Sequence, residues 1–141
     1  MNGKLEFGCD YLQIMRALEF QHDTEGKFDP VADAAARLFL LQWGFSLQEI
    51  DDANKLFYDR AQSQKLENDL GVVAKRIVDH IRNDRPAQER LVMELAAVGA
   101  MDRNVNENEV SFVQVFQNML DMKSSEFFAL CNQGQAWAHA L

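Results

Sequence analysis

Five acidic residues, Asp23, Asp29, Asp33, Asp102 and Glu109, stand around two turns and carry the clearest capacity for chemistry in this chain. Hard cations such as Ca2+ take carboxylate and carbonyl oxygens, and two turns presenting acids from both sides can supply them. Asp23, Asp102 and Glu109 form the centre of that set, with Asp29 or Asp33 assisting. The same residue types have a purely structural use. Asp29, Asn106 and Glu109 stand where helices should begin, and capping an orphan amide is worth roughly 1 kcal/mol. Capping is the favoured use of these acids, and a divalent-cation site is the alternative. An EF-hand is excluded. The run from Asp102 to Asn106 opens like such a loop, but Glu107 falls where the loop needs glycine and Val113 where it needs a bidentate glutamate.

Other reactive side chains are isolated. His22 has no second histidine at ligand spacing, His80 and Asp84 are one helical turn apart, and His139 lies near the end of the sequence. Cys9 and Cys131 read as reduced thiols with no basic cluster beside them to lower their pKa. No nucleophile elbow, phosphate-cradling glycine loop or dinucleotide fingerprint occurs, so catalysis is not expected.

The elements that must position the acids are helical. With 2 prolines and 7 glycines in 141 residues, few breakers interrupt the chain, and no segment alternates with period two. Asp10 and Gln13 have capping-box spacing, which predicts a helix with Leu12, Met15 and Leu18 inward, ending near residues 22–23. Asp29-Pro30 opens the next helix, with Leu38, Leu41 and Phe45 at helical spacing and Gly44 as the stop. Ser46 and Glu49 form a second capping box before Ile50, Leu56 and Phe57. Val73, Ile77 and Ile81 mark a one-faced helix. Leu91, Leu95 and Val98 line the one after Pro86. Asn106 to Glu109 opens a helix through Val113, Phe116 and Leu120. A last helix starts near Ser124 with Phe127, Phe128 and Cys131. The expectation is about seven helices in a single domain spanning 1–141, with its core at about 10–130 and a tail at 131–141 that packs or frays.

The two halves echo each other. Residues 11–23 match 90–102 at an offset of 79, pairing Leu12 with Leu91 and Asp23 with Asp102. Residues 28–50 match 105–127 at an offset of 77, pairing Phe39 with Phe116 and Glu49 with Glu126. Helix, aspartate, short turn, apolar plug (Phe28 or Val105) and two capped helices recur in that order, which reads as an internal duplication.

Composition narrows the partners. A formal net charge of −8, with basic residues scattered among acids, disfavours nucleic acid and anionic lipid and suits cations or basic protein surfaces. The longest apolar stretch, residues 38–45, is interrupted by Gln42 and is too short to span a bilayer, so no direct membrane insertion is expected. Without a signal-peptide pattern the expected location is cytoplasmic.

Residues 96–109 then suggest a family. A small-residue helix ending at Asp102, an apolar residue at Val105, a cap at Asn106 and an acid at Glu109 resemble the signature of TerB-like domains, named for a bacterial tellurite-resistance protein. Arg103 stands where that family usually has glycine. In the first half Asp23, Phe28 and Asp29 fit, while Ala32 replaces the glutamate and Asp33 stands one residue on. The resemblance covers roughly residues 10–130. It implies an all-α, seven-helix fold with two-fold internal similarity and acidic residues clustered where the turns approach. It also implies a non-catalytic sensor or scaffold role in bacterial stress or metal resistance, through a protein partner or a second copy of the chain.

Overall fold

The computed structural model describes residues 3–20, 30–100 and 107–140, and among them the chain is all-helical. The elements are α1 (Gly3–Phe20), α2 (Pro30–Gln42), α3 (Leu47–Gln62), α4 (Leu70–His80), α5 (Arg85–Ala100), α6 (Glu107–Leu120) and α7 (Ser124–Ala140). No helix is long and apolar enough to cross a membrane.

Local signals explain most of the boundaries. The Ser46 hydroxyl accepts from the Glu49 amide at 3.1 Å and the Glu49 carboxylate accepts from the Ser46 amide at 2.9 Å, the expected reciprocal box. Lys4 reaches across to the same carboxylate at 3.0 Å. Asp69 caps α4 by accepting from the Gly71 amide at 2.9 Å, and Asp84 accepts from the Ala87 amide at the start of α5. Helix α2 stops as its sequence predicts. Gly44 takes φ +93°, its amide donates to the Leu41 carbonyl, and the Phe45 amide donates to the Leu40 carbonyl. Helix α6 ends in the same pattern. Asp121 takes φ +53°, its amide donates to Asn118, and the Met122 amide donates to Gln117.

Two expectations give way to tertiary structure. Asp10 is no cap: α1 starts seven residues earlier, because Phe7 and Cys9 extend its buried face. Leu38 and Leu41 do not face inward. They are 58% and 38% exposed, and α2 packs instead through Ala35, Ala36, Phe39 and Leu40. Residues 131–140 continue α7, with Ala138 packed against the core.

The core is continuous from Phe7 and Tyr11 on α1 through Phe39, Ile77, Leu91 and Leu95 to Phe116 and Phe127. Helix α1 lies against α3, α4, α2 and α5, and α5 lies closely along α7. Two glycines permit the tightest approaches. A Cβ on Gly8 would fall 2.7 Å from the Phe45 ring and 2.9 Å from Ala53, while one on Gly134 would fall 2.1 Å from the Met93 carbonyl oxygen.

Candidate functional site

Among the five predicted acids only Asp33 has a described side chain. It accepts from Arg16 Nε at 3.0 Å. Asp23, Asp29 and Asp102 lie outside the described residues, and so does the Asn106 cap. Glu109 lies on α6 with its side chain outside the description. Among the described residues no group of three His, Cys, Asp or Glu side chains is placed to hold a metal ion.

What the fold does bring together is a set of buried and part-buried polar junctions, each joining helices distant in sequence. The innermost centres on Glu94, fully buried on α5. Its Oε1 accepts from the Tyr11 hydroxyl at 2.8 Å and from Trp43 Nε1 at 2.6 Å, and its Oε2 accepts from Arg90 Nε at 3.0 Å. Arg90 also donates to Gln42 at 2.5 Å and lies over the Trp43 ring at 5.5 Å. Burial pushes the Glu94 carboxyl above its ordinary range, and the hydrogen bonds from Trp43, Tyr11 and Arg90 only partly offset that. Tyr11, wholly enclosed, is raised well above its usual value by burial and by the neighbouring carboxylate. Both oxygens of Glu94 are occupied by donors, so this acid ties α1, the end of α2 and α5 together.

Three further junctions anchor α1. Asp10 accepts a two-pronged bond from Arg76 on α4 at 3.0 and 3.1 Å, and burial still lifts its carboxyl above the ordinary value. Arg16, 3% exposed, binds Asp33 on α2 and Asn54 on α3 and lies 4.8 Å over the Phe57 ring. Arg60 holds Glu6 at 2.6 Å, which lowers that carboxyl, and approaches Cys9 Sγ at 3.8 Å. The two cysteines are free. Burial raises both thiols, Cys9 in spite of Arg60 and Cys131 to about 11, so neither is poised as a nucleophile. His80 stacks on Phe7 at 4.7 Å.

Sequence reasoning missed these junctions. A signal for Glu94 was present, since an acid interrupts an otherwise apolar run from Leu91 to Ala100. Two of its three partners, Trp43 and Tyr11, come from segments 51 and 83 residues away.

A second feature lies outside the core. On α2, Leu38 and Leu41 share one face, and Leu47 at the start of α3 is 71% exposed. Arg37 on α2 bonds Asp51 on α3 at 3.0 Å across the short connection between the two helices. Asp51 and Asp52, in the first turns of α3 after Leu47, are exposed as well.

Compared with protein-family models, curated proteins and solved structures, the chain matches none.

Proposed function

We propose that this chain is a non-catalytic, TerB-like interaction or scaffold module of bacterial stress or metal (tellurite) resistance, and that it binds a protein partner through the exposed leucines of α2 and α3. The observation that carries the binding surface is the exposure of Leu38, Leu41 and Leu47 on the successive helices α2 and α3, which Arg37 and Asp51 join. Contiguous apolar side chains rimmed by polar ones mark protein contacts more often than chance surface. The chain's charge of −8 and the exposed acids of α3 suit a partner with an apolar anchor and flanking lysine or arginine. The family assignment is supported by the residues that resemble the TerB signature. The internal duplication is supported by the two matching helix ends, Gly44-Phe45 and Asp121-Met122, which are 77 residues apart like Phe39 and Phe116.

The test places a photo-crosslinking residue at position 38 in the living source cell. A discrete adduct with a basic segment, lost when Leu41→Glu is added, is the expected result. Adducts indistinguishable from those of an exposed control position such as Lys75 would overturn the proposal.

The second reading, a divalent-cation sensor, draws on the recurrence of Asp23 and Asp102 after the paired helices, with Glu109, Asp29 and Asp33 nearby. It predicts that the right ion raises stability by about 2.7 kcal/mol at a hundredfold excess over its dissociation constant, with Asp102→Asn abolishing the gain. A thermal-melt series with Ca2+, Mg2+, Mn2+ and Zn2+ that moves no more than with NaCl removes this reading.

A further inference from the structure

We draw no further inference here: the strongest candidate, the exposed and uncharged outer face of α7 that carries Phe128 and Trp137, is a bare helix surface, and nothing in the structure shows what covers it.

Discussion

Helices α3 and α7 each pack along a long central helix, α1 and α5 respectively, yet they are held by different means. Helix α3 carries six charged residues, and its contact with α1 is fastened by Arg60 on Glu6 and Asn54 on Arg16. Helix α7 has Glu126 as its only acidic or basic residue apart from His139, and it approaches α5 backbone to backbone at Gly134. Polar fastening tolerates some displacement, since long side chains follow a shift. Close backbone contact tolerates almost none. The same contrast reaches the surface, where α3 shows acids to solvent and α7 shows alanine, amides and aromatic rings.

The largest effect should come from the joint between these two systems. Glu94→Ala leaves the Tyr11 hydroxyl and the Trp43 indole without their acceptor inside the core and opens a cavity. Losses of this kind cost about 3–5 kcal/mol, and the partial exposure of Arg90 keeps this one near 4. Urea denaturation reads it directly, and a loss under about 1 kcal/mol would show the joint to be idle. The pH dependence carries a separate mark. A carboxyl whose folded pKa lies above its unfolded value binds its proton more tightly in the fold. Its contribution therefore falls as pH rises from the ordinary carboxylate value through the raised one. Glu94→Gln should flatten that descent only in part, because Asp10 is raised by burial as well. Glu6 acts in the opposite sense, since Arg60 lowers its carboxyl and the stability it contributes is lost as pH drops.

The two glycine contacts offer a sharper comparison. At Gly134 an added methyl meets backbone that cannot rotate away, so α5 and α7 must separate, and about 3 kcal/mol is expected. At Gly8 the methyl meets the edge of the Phe45 ring and the Ala53 methyl, which can shift. The gain in helix propensity from glycine to alanine offsets part of the strain, leaving about 1 kcal/mol. Equal melting losses for Gly134→Ala and Gly8→Ala would mean that the two helix pairs are held alike.

What the sequence disclosed follows the range of the interactions. The Ser46–Glu49 box and the Gly44 stop are made within four or five residues, and both were legible. Asp10 and Gln13 have the same spacing but no free amides to cap, because the helix already runs through them. Arg76 and the Glu67 carbonyl claim them instead. In α2 the run from residue 38 to residue 41 is apolar on every side, so periodicity alone could not choose its inner face; the neighbours chose Phe39 and Leu40. Of the acidic set, Asp33 is engaged by Arg16, an ion pair that no local pattern announces. The all-α class and the order of the helices were legible; the polar junctions, made across 17 to 83 residues, were not.

The smallest effect tests the two helix ends against each other. Gly44 and Asp121 both occupy the left-handed region, where a Cβ crowds the following carbonyl oxygen. Glycine avoids that cost, and aspartate bears it more easily than most residues. Gly44→Ala has open space for its methyl, with no heavy atom within 4 Å, so its entire penalty is conformational, about 1 kcal/mol. The reverse change, Asp121→Gly, should stabilise the protein, though by only about 0.5 kcal/mol, because glycine also gains freedom in the unfolded chain. The hydrogen bonds to Leu40 and Leu41 at one end, and to Gln117 and Asn118 at the other, use backbone atoms alone and survive both changes. Opposite shifts in the urea midpoint with unchanged slope are therefore expected. If Asp121→Gly destabilises instead, the Asp121 side chain makes a contribution there that outweighs its backbone strain, and the two helix ends are not governed by the same physics.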